Sequence, residues 1–284
     1  MKKDKTHIHW YPGHIAKAER KLKEQLALVD AVIEVIDARI PLSSRYDNIT
    51  GLLNQKPRFL LVNKSDLVDK IELDRFVEYL KKESGISVIP TSAKSNKDFN
   101  VIVKEAIALS EPRIQSIMAK GLLRRPARIM VVGLPNVGKS SIINKLTRSS
   151  KTKTGAKAGV TRQQQWVRIN PQLELLDTPG IIPMKQDDQE RATKLAFVNS
   201  VGDNAYSNDY VAKELLNILN DNQTKIFKEY YGLAPQNELT LENIALCRKW
   251  LIKNKESDIE RASGYVLKDF REGKIGKFIL DTLP

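Results

Sequence analysis

Gly133-Leu134-Pro135-Asn136-Val137-Gly138-Lys139-Ser140 fits the spacing G-x-x-x-x-G-K-[ST]. Glycines in this pattern let backbone N–H groups wrap a phosphate with no Cβ in the way. Lys139 is placed to reach β- and γ-phosphates, and the Ser140 hydroxyl to bind Mg²⁺. The flanks suit the motif. Arg128 to Val132 is a short apolar run that reads as a buried strand, and Ser141 to Leu146 reads as a helix start. The helix N-terminus then points at the anion. Asn136, Val137, Gly138, Lys139, Ser140 and Ser141 are therefore the expected phosphate-binding residues.

Downstream, Asp177-Thr178-Pro179-Gly180 follows the apolar run Leu173 to Leu176. An Asp at such a strand end can hold Mg²⁺ through water, and Gly180 can offer its N–H to a γ-phosphate. The stretch between, Lys151 to Gln165, is rich in Lys, Thr and Gly and reads as a loop. Thr161 is the preferred candidate to sense Mg²⁺ and γ-phosphate. Thr152 and Thr154 are rivals that composition does not separate.

Upstream, Arg58 to Val62 reads as a strand leading into Asn63-Lys64-Ser65-Asp66. Asp66 can accept hydrogen bonds from N1–H and the exocyclic amine of guanine, a donor pair that adenine lacks. An unpaired buried Asp penalises the wrong base. The Lys64 stem can lie against the purine face. A further strand, Ser87 to Pro90, leads to Thr91-Ser92-Ala93-Lys94, a loop suited to the base edge. Asn63, Lys64, Asp66, Ser92, Ala93 and Lys94 make up the expected guanine site, with GTP or GDP and Mg²⁺ as ligands.

The order of these parts sets the wiring. In most small GTPases the phosphate loop precedes the base motif; here it comes second. Val32–Ile36, Phe59–Val62, Ser87–Ile89, Ile129–Val132, about 165–169 and Glu174–Leu176 give six strands with helical segments between several of them. That alternation predicts a doubly wound, mostly parallel α/β sheet with ligands at the strand C-ends. The fold is expected to be a circularly permuted P-loop GTPase domain over residues 1–185. Residues from about Lys104 to Ala127 join the ends that are open in an ordinary GTPase. The chain leaves this domain just past the Asp177–Gly180 loop, the part that changes most between nucleotide states, so the C-terminal segment is tied to the switch. Residues 186–284 read as a small all-α domain. Ala192–Val198, Val211–Leu219, Leu241–Ile252 and Ile259–Phe270 carry helical apolar spacing, Thr240 marks a helix start, and Gly232, Pro235 and Gly264 mark breaks or kinks.

Composition narrows the function. The formal net charge is +13 over 284 residues. From Pro112 to Asn170 there are 13 Lys or Arg and no Asp or Glu, so this segment alone equals the excess of the whole chain. Such a stretch favours a nucleic-acid phosphate partner over a merely solvated face. Arg124, Arg125, Lys151, Lys153 and Lys157 are expected to face outward. In the helical segment Arg248, Lys249 and Lys253 are the RNA-contact candidates, but acidic residues intersperse and an ordinary helix surface reads equally well. No aromatic RNA-binding signature is evident, so backbone and shape recognition fits better than base reading. No run of about 18 apolar residues is present, which argues against a membrane span. No apolar segment comes after Met1 to suggest a secretory signal, and Cys247 is the lone cysteine, so no internal disulfide forms. A cytoplasmic monomer is expected.

Catalysis needs a group to orient water. Many GTPases place a Gln just after the D-x-x-G loop; this chain has Ile181 there, which cannot hydrogen-bond water. His7, His9 and His14 flank Trp10-Tyr11-Pro12-Gly13 and could position or deprotonate water. The residues themselves do not rank the three.

Trp10 to Ala18, Asp37-Ala-Arg-Ile-Pro41, Asn63 to Asp66, Gly133 to Ser140 and Asp177 to Gly180 occur together and in this order. Jointly they resemble the ribosome biogenesis GTPase A family of circularly permuted bacterial GTPases. The resemblance implies a late factor in assembly of the large (50S) ribosomal subunit, whose GTP hydrolysis the subunit stimulates before the factor leaves. It selects His14 as the catalytic histidine and expects a hydrophobic residue at Ile181. It links Asn136 to K⁺ use, and the C-terminal helices to rRNA binding. A different class of reading is a nucleotide-gated rRNA scaffold whose hydrolysis is incidental.

Overall fold

The computed structural model describes residues 8, 20, 22–46, 49–53, 56–95, 98–149, 165–177, 188–202 and 205–284. Six strands form one sheet: β1 (Ala31–Asp37), β2 (Arg58–Asn63), β3 (Val88–Pro90), β4 (Ala127–Val132), β5 (Gln165–Asn170) and β6 (Leu173–Asp177). Their spatial order is β3-β2-β1-β4-β6-β5, and every pairing is parallel except β5 with β6. β1 is central and wholly buried, bonded to β2 (Val35 opposite Leu61) and β4 (Ile33 opposite Val131). The base motif at the end of β2 and the phosphate loop at the end of β4 thus lie on either side of β1, at the strand C-ends where a doubly wound sheet opens. The permutation leaves this juxtaposition intact.

Side chains alternate across the sheet as the strand period requires. Ile33, Val35, Phe59, Leu61, Ile129 and Val131 join one apolar cluster. Val32, Met130 and Val132 on the opposite face pack with Leu22, Leu26, Ile49 and Leu52. Further along that face Ile36, Leu60 and Val62 pack with Leu73, Phe76 and Leu80. Both faces being covered explains why the strands are near-continuous apolar runs.

Helices α1 (Ile49–Leu53), α2 (Lys70–Ser84), α3 (Phe99–Met118) and α4 (Lys139–Ser149) belong to the sheet region. The α2 helix starts where Asp69 accepts from the amides of Ile71 (2.9 Å) and Glu72 (3.0 Å), and stops at Gly85 in the left-handed region. The α3 helix occupies most of the segment expected to join the permuted ends.

The C-terminal part is helical: α5 (Gln189–Phe197), α6 (Asn208–Asn217), α7 (Asp221–Tyr231), α8 (Leu241–Cys247) and α9 (Ile259–Glu272). Three features differ from the sequence expectation. The α7 helix is additional, and Asn220 and Gln223 form a reciprocal capping box at its start. The α8 helix ends at Cys247, not Ile252, because Lys249 turns left-handed (φ 56°). Gly264 lies inside α9 and breaks nothing; a helix with this much apolar burial tolerates one glycine. The α9 helix packs on α5, α6 and α8, and the apolar cluster of the sheet continues through Leu195, Leu215, Phe227, Val266 and Phe270. Beyond α9 the chain returns to the sheet region. Leu280 N donates to Arg39 O (2.8 Å), and Asp281 accepts from the Leu42 and Ser43 amides (2.8 and 2.9 Å).

Candidate nucleotide site

The base side is built by side chains at the ends of β2 and β3. Ser92 Oγ donates to Asp66 Oδ1 (2.7 Å), and Lys94 Nζ lies 3.2 Å from Asp66 Oδ2. Partial burial pushes the Asp66 carboxyl up, but Ser92 and Lys94 outweigh it and hold the group below its ordinary value. Asp66 is therefore an ionised acceptor at neutral pH, as recognition of two guanine donors requires. Asn63 links both halves of the site. Its Nδ2 donates to Val137 O in the phosphate loop (2.7 Å), and its Oδ1 accepts from the Ala93 amide (3.3 Å).

The phosphate loop shows why its glycines are needed. A Cβ on Gly138 (φ +99°) would stand 2.2 Å from Asn63 Nδ2, and one on Gly133 (φ +152°) 2.3 Å from Val35 O. The loop's back packs directly onto β1 and the base motif, so the protein itself excludes a side chain there. This adds to the phosphate-side reason given by the motif. Lys139 is buried with Nζ on Leu134 O (2.8 Å), so its ammonium is held over the loop. Ser140 and Ser141 open α4 at its first turn. Ser140's hard hydroxyl oxygen suits Mg²⁺. Among the described residues no group of three or more His, Cys, Asp or Glu is placed to hold a metal ion.

Lys64 also makes contacts that its residue type and spacing do not announce. It is left-handed (φ 64°), and its Nζ donates to both Asn136 O (2.7 Å) and Asp37 Oδ2 (2.7 Å). Its stem remains free to flank a base while its charge clamps the phosphate loop to β1. Asp37 is fully buried and also takes a fork from Arg39: Nε to Oδ1 at 2.9 Å and Nη2 to Oδ2 at 2.7 Å. Burial pushes the Asp37 carboxyl up, yet two adjacent cations and their hydrogen bonds overturn that and hold it far below the usual carboxylate range. Residue types and spacing assign no site role to Asp37 or Arg39. An Asp closing an otherwise apolar strand, with Arg two residues on, is the signal that could have found them.

Other expected residues fall differently. His14, Thr161, Gly180, Ile181, Lys151, Lys153 and Lys157 lie outside the described residues, as does the Asp177 side chain. Arg124 faces outward and Arg125 is half-buried, and each is paired with a carboxylate. Arg124 forks onto Glu111 (2.9 and 2.7 Å). Arg125 forks onto buried Asp30 (2.8 and 2.7 Å), whose Oδ2 also accepts the Arg128 amide (2.9 Å). Arg125 therefore fastens β4 to the start of β1. In the helical part Lys249 and Lys253 are exposed, while Arg248 leans over Tyr230 and Tyr231 and donates to Tyr230 O (2.5 Å).

A sheet of this order, with a base motif and a phosphate loop meeting across its central strand, defines a circularly permuted P-loop GTPase. The family model described as "50S ribosome-binding GTPase" matches residues 128–238. Ribosome biogenesis GTPase A of Bacillus cereus is 37% identical over 278 residues, covering 97% of this chain and 94% of its own length. The protein of that name from Thermotoga maritima is 32% identical over 95% of this chain and 92% of its own length. Mouse mitochondrial ribosome-associated GTPase 1 is 33% identical over 96% of this chain and 89% of its own. Among solved structures, GDP-bound TM YlqF superposes with a TM-score of 0.66 at 28% identity, covering 92% of this chain and 98% of that one. GNP-bound YlqF from T. maritima gives 0.63 at 28% identity, covering 94% and 100%. The chain belongs to the ribosome biogenesis GTPase A family and hydrolyses GTP.

Proposed function

We propose that this GTPase binds the large (50S) ribosomal subunit precursor, promotes a late step of its assembly, and leaves after the subunit has stimulated GTP hydrolysis. The observation that carries the reading is the ionised, base-selective site assembled across β1 in a chain whose relatives are named for ribosome biogenesis. Water attacks the γ-phosphate. Lys139 and the backbone amides from Asn136 to Ser141 and at Gly180 stabilise the developing charge, and Ser140 would hold a Mg²⁺ that adds to this when bound. Thr161 and, through water, Asp177 would help hold the Mg²⁺, and Asn136 would be the residue linked to K⁺ use. His14 orients the water while Ile181 excludes glutamine's usual role. Residues 1–185 act as the GTPase domain and 186–284 as the helical rRNA-binding domain. The protein works as a cytoplasmic monomer; no helix among the described residues is long and apolar enough to cross a membrane.

The rRNA-facing surface is best supported around residues 246–256. Nearly all of them are exposed. Lys249, Asn254 and Lys255 have φ of 56°, 69° and 62°, so half of the positive-φ non-glycine residues described fall in this one turn. Such conformations cost about 1 kcal/mol or more each and persist where the surroundings over-determine them. An antiparallel bridge from Leu251 to Ser257 does so, with Arg261 over Trp250 and Tyr265 behind it. The result is a rigid basic finger carrying Lys249, Lys253 and Lys255. Arg124 and Arg125 line a separate cleft with Arg168, where backbone phosphates could share guanidinium groups already fixed by Glu111 and Asp30.

The test is co-sedimentation with purified large-subunit precursors. Lys249→Glu with Lys253→Glu should weaken binding and flatten its salt dependence. Wild-type binding in that variant would remove the finger from the interface. A variant that binds GTP without hydrolysing it should stay on the particles. If it matures and leaves them normally, the scaffold reading holds instead.

A further inference from the structure

The helical domain is joined to the nucleotide site by a closed ring of polar contacts that does not pass through the Asp177–Gly180 loop. Starting at Lys64, Nζ holds Asp37, Asp37 holds Arg39, and Arg39 Nη1 donates to Arg271 O at the end of α9 (3.3 Å). The Arg271 guanidinium then caps the end of α5, with Nε on Phe197 O (3.0 Å) and Nη2 on Ala196 O (2.8 Å), and reaches Tyr206 Oη (2.9 Å). A cation at a helix C-terminus satisfies carbonyls that the helix leaves open. The turn so fixed carries Asn199 in the left-handed region (φ 61°), its amide bonded to Ala196 O (3.0 Å). From this turn two contacts enter the phosphate loop. Asn136 Nδ2 donates to Asn199 O (2.5 Å), and Ser200 Oγ donates to Pro135 O (2.8 Å). Asn136 O returns to Lys64 Nζ (2.7 Å), closing the ring.

The consequence falls on Asn136. It too is left-handed (φ 58°), a conformation that asparagine tolerates better than most L-residues, and here both ends of the residue are held. Lys64 fixes its carbonyl and the α5 end fixes its side chain, so the shape of the phosphate loop depends on where the helical domain sits. We propose that Arg271 and Ser200 are positioning residues for nucleotide binding, through which docking of the helical domain and occupancy of the phosphate loop control each other. Arg271 bonds no residue of the base or phosphate motifs, so its influence must travel around the ring. Linkage requires the effect to be reciprocal: nucleotide must change the docking by the factor by which docking changes nucleotide affinity. The inference rests on nucleotide binding and not on the ribosomal partner.

The experiment uses the full chain and fluorescent GDP. Arg271→Ala and Ser200→Ala should each change the GDP dissociation constant by about 5-fold or more, the lower range of measured couplings. Combined, they should change it by less than the product of the two, because both open one ring. Arg271→Lys should resemble Arg271→Ala, since a single ammonium nitrogen lacks the rigid, separated Nε and Nη2 donors that span Phe197 O, Ala196 O and Tyr206 Oη. In the wild type, GDP should alter amide exchange across residues 195–202. Should Arg271→Ala fail to fold, Ser200→Ala with the exchange measurement decides. A Ser200→Ala protein with wild-type GDP affinity, or amide exchange at 195–202 indifferent to GDP, overturns the proposal and leaves Arg271 a stability residue only.

Discussion

Replacing Gly138 by alanine tests the packing logic of the site. The new Cβ would lie 2.2 Å from Asn63 Nδ2, and the backbone there has φ +99°. Holding an L-residue in so sparsely populated a region costs about 1–3 kcal/mol. The clash must also push the Asn63 amide aside, breaking its 2.7 Å bond to Val137 O. Stranding that buried pair costs about 1–3 kcal/mol more. A total of about 2–6 kcal/mol is a large share of the 5–15 kcal/mol typical of a domain. Asn63→Ala loses the same bond and removes the clashing atoms. The double variant should therefore be less destabilised than the sum of the singles by about 1–3 kcal/mol, a coupling that denaturant titration can resolve. Strict additivity would mean that Gly138 and Asn63 do not press on each other, and that the glycine serves the phosphate alone.

Other positions carry further expectations. Asp37→Asn leaves Arg39 buried without its counter-ion and should cost about 3–5 kcal/mol in chemical denaturation. Because the Asp37 carboxyl is held below its ordinary value, its stabilisation is present above the unfolded value and lost as pH falls through the folded one; the Asn variant should show a shallower acid transition. Glu34 has the opposite sign. Burial, only partly offset by Arg58 (3.7 Å), pushes its carboxyl up, so it erodes stability as pH rises above the ordinary glutamate value. Glu34→Gln should then lose less melting temperature than wild type between about pH 5 and pH 8. Gly264→Ala should raise stability by about 0.5–1 kcal/mol, since α9 has open space there and ordinary backbone angles. Gly85→Ala, also in open space but at φ +65°, should lower it by about 1 kcal/mol.

The sheet is legible in the sequence because the strands other than β5 are short, largely apolar runs closed by a motif or turn, and motif order dictates which ends must meet. The helical part is legible where apolar spacing is strong, as over Ile259–Phe270. The α7 helix escapes apolar spacing because its buried face is thin, with Gln223, Phe227 and Tyr231 buried, and its capping box is the better signal. Helix ends depend on single residues adopting positive φ, and Lys249 does not announce that choice as a glycine would. Within the site, residue types and spacing point to Asn63, Asp66 and Lys139. They do not reveal that Lys64 shares its charge between Asp37 and Asn136, or that Arg125 is committed to Asp30. Those are pairings between residues 27 to 95 positions apart, set by tertiary packing.

The most direct test of the proposed function is GTP hydrolysis by the purified protein in K⁺ buffer, alone and with large or small ribosomal subunits. Strong stimulation by large subunits only, lost in His14→Ala with GTP binding retained, is the predicted result. Turnover indifferent to large subunits, or equally raised by small ones, would contradict it.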